Sequence, residues 1–393
     1  MTAPLSLPVD RPAGCPFHQP ELPERSVTRV GFPSTDEGWL VTKPADIRAV
    51  LSDPRFSAAS RRLLFSKGQP QNLPLRPGAF IGMDAPEHPA YRKLLTSVFT
   101  VKRMQALKPR VQEIVDERLA AMAALGGEAD LVAEFALPVP SLVICQLLGV
   151  PYEDRDEFQS ITGDLLRLDT TLERRDAALA KIDGYLGALV AAKRREPDEA
   201  LLSRLVQQAD AGVELLTDEV LVGFATLLLV AGHETTANQI ALSTALLLQH
   251  PDQLALLRDR PELAPRATEE LLRYLTIVQH GLQRTAVEDV EVGGTLVKAG
   301  EYVSLHLGVA NTDPSLLADG ERLDLTRPPS PHLAFGYGPH QCLGQQLARI
   351  EIQLALTSLF QRFPGLALAA PLHEIPFRTE MAVYGVHRLP VRW

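Results

Sequence analysis

Cys342 lies near the end of a ten-residue run, Phe335-Gly336-Tyr337-Gly338-Pro339-His340-Gln341-Cys342-Leu343-Gly344, whose make-up suits a metal ligand. Leu343, Leu347, Ile350, Leu354 and Leu359 follow at mostly three- and four-residue steps, which predicts an amphipathic helix with Cys342 at its N-terminus. Free backbone N–H groups and the positive end of the helix dipole meet there, and both favour thiolate over thiol. Gly336, Gly338 and Gly344 allow backbone approach that a side chain would block, and Pro339 stiffens the turn. A bulky planar cofactor could lie over such a loop. A buried cysteine opening an ordinary helix is the competing reading for a lone Cys.

Three other groups have suggestive spacing. Ala231-Gly232-His233-Glu234-Thr235-Thr236 interrupts a long apolar stretch with glycine, an acid and hydroxyls. Threonines there can bond back to carbonyls one turn earlier and bend the helix, so a kinked core helix with satisfied polar groups is the plain reading. Glu270 and Arg273 share one helix face, where a surface pair would contribute only about 0 to 1 kcal/mol. Asp84 and Glu87 have capping-box spacing, and His88 and Arg92 follow at i and i+4. Two such cations, with Arg284 as a third, could grip carboxylates or simply decorate a solvated helix.

The ten-residue run resembles the heme-ligand loop of the cytochrome P450 superfamily, matching Phe-Gly-x-Gly-x-His-x-Cys-x-Gly at every fixed position. The resemblance implies heme b (iron protoporphyrin IX) with Cys342 as the axial iron ligand. It also implies sulfur hydrogen-bonded by the amides of Leu343 and Gly344, and a cofactor site that includes Phe335 and Gly344. His88, Arg92, Arg284 and His340 match the positions that hold heme propionates in bacterial members. The hexad resembles the family's oxygen-binding groove, where a small residue makes room and Glu234 and Thr235 stand at the acid and alcohol positions that manage protons. His233 falls at a variable position without chemical role. Glu270 and Arg273 match the Glu-x-x-Arg motif, which Arg322 would complete as a structural triad.

What the resemblance implies is a monooxygenase that uses O2 as cosubstrate to hydroxylate or epoxidise a hydrophobic small molecule. The chain is too short to include a reductase as well, so electrons from NAD(P)H would arrive through a ferredoxin and a ferredoxin reductase. Arg92, Lys93, Lys102 and Arg103 form a basic patch that would face such an acidic partner, or is an ordinary charged helix surface. Phe80-Ile81-Gly82-Met83-Asp84, Val98-Phe99-Thr100-Val101 and Cys15-Pro16-Phe17 are similar to actinomycete members that oxidise polyketides in secondary metabolism, and xenobiotics. Substrate-lining candidates are the stretch 63–80, Leu165, Leu168, Val230, Ala231, Ile277, Val278, Ala382 and Val383. Two other readings share the scaffold: a heme-thiolate sensor or carrier without turnover, and a peroxide-driven peroxygenase. The Glu234-Thr235 pair weighs against both.

Positioning these groups is the task of a helix-dominated chain. Thr217 caps and Pro251 follows a stretch that, if helical throughout, extends about 50 Å and must cross the core. Strand-like pieces are Gly38-Trp39-Leu40-Val41 and the runs Val290-Glu291-Val292 and Tyr302-Val303-Ser304-Leu305 within 281–309; Pro44 to Leu51 reads as helix. The expected fold is mainly α with small β-sheets, a triangular helical prism around the heme, in one domain over 1–393 with a small β-rich lobe. A 46% hydrophobic content supports a large core, and the −9 net charge excludes nonspecific nucleic-acid binding. Three distant cysteines give no disulfide framework or zinc site. The proline-rich N-terminus lacks a signal-peptide core, and the longest apolar stretch, around Leu221 to Gly232, is shorter than the roughly 20 residues of a membrane span. A cytoplasmic monomer without membrane anchor is expected.

Overall fold

The computed structural model describes residues 4–12, 14–59, 62–66, 72–151, 155–280 and 282–393, with 155–160 as backbone only. Helices dominate them: α1 Pro44–Ser52, α2 Glu87–Thr96, α3 Val101–Ala123, α4 Pro138–Leu148, α5 Arg155–Leu166 and α6 Leu172–Arg195. The second half adds α7 Leu201–Asp210, α8 Asp218–Gln249, α9 Pro251–Asp259, α10 Ala264–Leu275, α11 Leu307–Thr312 and α12 Gln345–Arg362. The strands are short, β1 Leu5–Ser6, β2 Val27–Gly31, β3 Glu37–Val41, β4 Phe56–Ser57, β5 Glu128–Asp130 and β6 Gln283–Ala286. Then come β7 Val290–Val292, β8 Thr295–Val297, β9 Tyr302–Leu305, β10 Ala367–Leu368 and β11 Pro390–Arg392.

The main sheet has the order β1-β2-β3-β9-β6-β4, so both predicted strand regions meet where β3 pairs with β9 in parallel, Trp39 opposite Val303. This sheet carries Arg284 on β6, and α1 packs beside it through Ile47, Val50 and Leu51. β2 and the three-stranded β10-β11-β5 sheet were not apparent in the sequence. The strands of the second sheet have only two or three residues each, too few to show alternation without flanking turn signals.

α8 is the central element. Thr217 accepts from the Val220 N–H, and helical structure continues without a break through the hexad. Its N-terminal half packs Leu221, Phe224 and Leu229 into one core, and its C-terminal half packs Ile240, Leu242 and Leu246 into a second. By length and mean hydropathy α8 could cross a bilayer, contrary to the expectation from its longest apolar stretch, yet 67% of its most apolar part is buried inside the protein. α12 likewise bridges the two cores, with Ile350 in one and Leu356 in the other. Cys342 is thereby fixed at the head of a helix packed on two sides.

Candidate functional site

The chain reaches α12 through a 3-10 turn, Gly338–His340, and the helix begins only at Gln345, three residues later than a start at Cys342 would give. This delay shifts the donors by one residue: the sulfur of Cys342 accepts from the N–H groups of Gly344 and Gln345, not from Leu343. The Cys342 N–H donates to the Phe335 carbonyl at 2.9 Å, which closes the loop. The side chain is exposed by surface area although protein atoms crowd its surroundings. That burial pushes the thiol above its ordinary pKa, against the pull of the two amides and of Arg92 and Arg349. The expected stabilisation of the thiolate is present but does not win alone; a coordinated metal would tip the balance.

Of the loop glycines, Gly336 and Gly338 have φ of 70° and 71°, which explains glycine there. A Cβ on Gly338 would come 2.6 Å from the Leu51 carbonyl oxygen, so its close approach is to α1 and not to a cofactor. Phe335 stacks under the Arg349 guanidinium at 4.6 Å. Arg349 in turn grips Glu269 at 2.5 and 3.0 Å, and His332 adds a third contact at 3.1 Å. Burial raises the Glu269 pKa, but these two partners outweigh it and hold the group at about 2. Neither Glu269 nor Arg349 was apparent in the sequence, because only the fold brings α10 against α12.

The four expected carboxylate-binding residues do converge. The rings of His88 and His340 lie 3.9 Å apart at 30°. His88 Nε2 and His340 Nδ1 are buried without hydrogen-bond partners. Arg92 donates to the Gln341 carbonyl at 2.6 Å, beside the cysteine, and buried Arg284 donates to the Gln283 carbonyl. Burial, then the positive charge of Arg92, lowers the His88 pKa; burial, then Arg284 and His88, lowers His340 to about 3. Both imidazoles are thus held towards the neutral form, which for His88 corrects its reading as a cation. Two orphaned nitrogens beside two guanidiniums fit a ligand with two carboxylates, as heme has. Asp84 does not cap α2: the N-cap is Pro86, and the Asp84 carboxylate binds the hydroxyl of Ser57 and the N–H of Ala58.

In the α8 hexad, the Thr235 hydroxyl donates to the Ala231 carbonyl at 2.7 Å; Ala231 is exposed and Thr235 half-buried. Gly232 makes no room on that face, since its Cβ would lie 2.8 Å from Ile144 on α4. Glu234 points elsewhere. It is buried against Arg378 at 2.6 Å, and Asn238 donates to it at 3.3 Å. The pair lines a cavity of about 360 Å³ with Asp164, Arg167 and Arg174. Arg378 was missed; it lies 144 residues from its partner in no recognisable motif. His233 binds the Leu229 carbonyl and the Thr162 hydroxyl, as suits a residue without chemical role.

The Glu270–Arg273 pair is bidentate, 2.8 Å on each arm, and essentially fully buried. Arg322 is not its third member. The Arg322 side chain is 67% exposed with Asp319 and Asp324, whereas Arg327, 9% exposed, reaches Glu270 Oε1 at 3.3 Å. Arg322 contributes its carbonyl, which accepts from both Arg273 and Arg327.

Among lining candidates, Val278 and Val383 form a β-bridge, the Tyr384 N–H donates to the Ile277 carbonyl, and the Ala382 N–H to the Leu166 carbonyl. Val230 is half-buried on α8; Leu165 and Leu168 are half-buried near the end of α5. Residues 67–71 of the stretch 63–80 lie outside the described residues, as does residue 281. In the basic patch, Lys93, Lys102 and Arg103 are exposed while Arg92 turns inward.

A family model described as Cytochrome P450 matches residues 32–260 and 255–369. Cytochrome P450-SU2 of Streptomyces griseolus is 48% identical over 99% of this chain and 97% of its own. Nocardicin C N-oxygenase of Nocardia uniformis is 46% identical over 96% and 95%. The crystal structure of CYP105P1 in complex with filipin I superposes with a TM-score of 0.94 at 45% identity, covering 100% of this chain and 99% of that one.

Proposed function

Since the chain belongs to the cytochrome P450 family of heme-thiolate monooxygenases, we propose that it hydroxylates or epoxidises a hydrophobic small molecule, acting as one domain over residues 1–393. Membership implies heme, O2 and reducing equivalents. On this reading the heme is heme b, Cys342 is its axial ligand, and Phe335 and Gly344 lie against it. His88, Arg92, Arg284 and His340 take its two carboxylates. When bound, the group supplies O2 activation and the oxidising power. The observation that carries the proposal is the exposed Cys342 sulfur, with two amide N–H groups on it, beside the two orphaned imidazole nitrogens.

The protein's own residues then have separate tasks. Gly344 and Gln345 hold negative charge on the sulfur through their N–H groups. Arg92 and Arg284 neutralise carboxylates that would otherwise be costly to bury. The Thr235 hydroxyl, on the same face as Ala231, holds a proton where substrate oxidation takes place, and Glu234 moves protons in from the cavity it shares with Arg378. Ile277, Val278, Ala382 and Val383, with Val230 and Ala231, give the substrate an apolar wall that excludes water.

One relative is named for nocardicin C, and a solved structure holds filipin I. These unlike ligands support the broad class, a polyketide-like secondary metabolite or a xenobiotic. Electrons come from NAD(P)H through a ferredoxin and its reductase, with Lys93, Lys102 and Arg103 offering the docking charge to a cytoplasmic monomer. The test is the carbon monoxide difference spectrum of the reduced, heme-loaded protein. A red-shifted thiolate Soret band is expected, and Cys342→Ala should abolish it; an unchanged band in that variant overturns the assignment.

A further inference from the structure

A buried arginine near the N-terminus stands behind the apolar wall. Arg11, 6% exposed, makes four hydrogen bonds, all to uncharged acceptors. Nη2 donates to the Leu275 carbonyl at 2.6 Å and the Thr276 carbonyl at 3.2 Å, Nε to Gln279 Oε1 at 3.2 Å, and Nη1 to the Phe17 carbonyl at 3.2 Å. Its guanidinium lies 4.2 Å from the centre of the Tyr384 ring. Burial draws the pKa down to about 10 against the opposing influence of Tyr384 and Tyr274, so the group stays cationic at neutral pH. A buried cation without a carboxylate is costly unless every donor is used. Here the negative end of the α10 dipole and its unpaired terminal carbonyls supply the compensation.

The contacts fall on a strained junction. Thr276 ends α10 with φ of 35° and ψ of 77°, a left-handed conformation that a β-branched residue adopts only under strain. Its hydroxyl donates to the Arg273 carbonyl and accepts from Asn311, while Arg11 holds its carbonyl. The turn sends Ile277 and Val278 towards Val383, and Tyr384, the next residue, lies under the guanidinium. One side chain therefore touches both segments of the wall from behind. Gln19 reinforces the grip by donating to the Tyr274 and Leu275 carbonyls.

We infer that Arg11 is a positioning residue for substrate selection: it clamps the turn at Thr276 and the Tyr384 ring so that Ile277, Val278 and Val383 present one fixed surface to the ligand. The inference rests on the assignment of these residues to the substrate wall. It is tested on heme-loaded protein by optical titration with two azole probes. Imidazole reaches the iron without needing the wall, whereas clotrimazole must pack against it.

In Arg11→Ala the clotrimazole Kd should rise roughly tenfold, the effect of losing charged hydrogen bonds behind the wall, while the imidazole Kd stays unchanged. Hydrogen exchange at the amides of residues 277–279 and 383–384 should accelerate in the same variant. Gln279→Met, which removes one acceptor and leaves the arginine, should move clotrimazole in the same direction by less and keeps the test available if Arg11→Ala does not fold. Equal clotrimazole affinity in both variants and wild type overturns the inference. So does a parallel loss of both azoles with the thiolate band, which would mark a general stability residue. If wild-type protein gives no azole spectrum at all, the heme assignment itself fails.

Discussion

The Glu234 carboxylate, buried in α8, and the half-buried Arg378 guanidinium meet at 2.6 Å, so the acid beside Thr235 is tied to a residue near the C-terminus. Removing one partner of a buried pair leaves the other charge unpaired, at a cost of about 3 to 5 kcal/mol. Arg378→Ala should lower stability to denaturant by that order. Adding Glu234→Gln should recover a large part, because no orphaned charge remains. Additive losses in the double-mutant cycle would mean that the pair is not energetically coupled.

Thr235→Ala removes a hydroxyl that bonds only within its own helix, to the Ala231 carbonyl. Folding and heme content should therefore stay near wild type. With a substrate in hand, NADH consumption should continue while hydrogen peroxide replaces oxidised product, and Thr235→Ser should restore much of the coupling. NADH, peroxide and product measured together decide the matter. Equal coupling in wild type and Thr235→Ala would place the proton route elsewhere.

The arginine that completes the buried cluster can be identified by stability alone. Arg322→Ala should cost no more than about 1 kcal/mol, as for an exposed ion pair. Glu270→Ala should cost about 3 to 5 kcal/mol and sharply reduce recovery of heme-loaded protein. Arg327→Ala should resemble Glu270→Ala. The opposite ranking of Arg322→Ala and Arg327→Ala in thermal melts would restore Arg322 to the cluster.

Acid sensitivity should arise at the buried imidazoles, and away from the site the clearest are His306 and His280. Burial lowers His306 to about 3 and His280 to about 4, each with further help from Arg11. Below the unfolded value of about 6.5, the unfolded chain binds protons that the folded protein refuses, so stability falls as pH drops towards 3. The two together should account for a few kcal/mol across that window, on the order given by linkage. His306 Nδ1 also accepts from the Val309 N–H at the start of α11. His306→Asn keeps a capping acceptor and removes the titration, so the melting temperature should depend less on pH below 6.5. An unchanged pH slope would contradict this origin.

What could be read from the sequence divides along a physical line. The Cys342 loop, the Thr217 cap and the Glu270–Arg273 pair depend on short spacings, and each forms. Selection between Arg322 and Arg327 depends on how an aperiodic segment turns, which no spacing encodes. The sulfur donors moved from Leu343 to Gln345 because the 3-10 turn delays the helix. Arg378 and Arg11 lie far along the chain from their partners, and nothing in either local sequence marks them. The neutrality of His88 and His340 also had to wait for the fold, since it follows from burial beside two arginines.

The contact between Gly232 and Ile144 gives adjacent positions of the hexad different tolerance to change. A methyl group at Gly232 would come 2.8 Å from the Ile144 side chain, which would have to shift within a core made of both helices. Ala231, one residue earlier, lies on the exposed face that the proposed wall presents to the ligand, so a change of size there acts on the ligand and not on helix spacing. Efforts to reshape this enzyme for new ligands therefore meet two different constraints side by side, ligand contact at Ala231 and helix packing at Gly232.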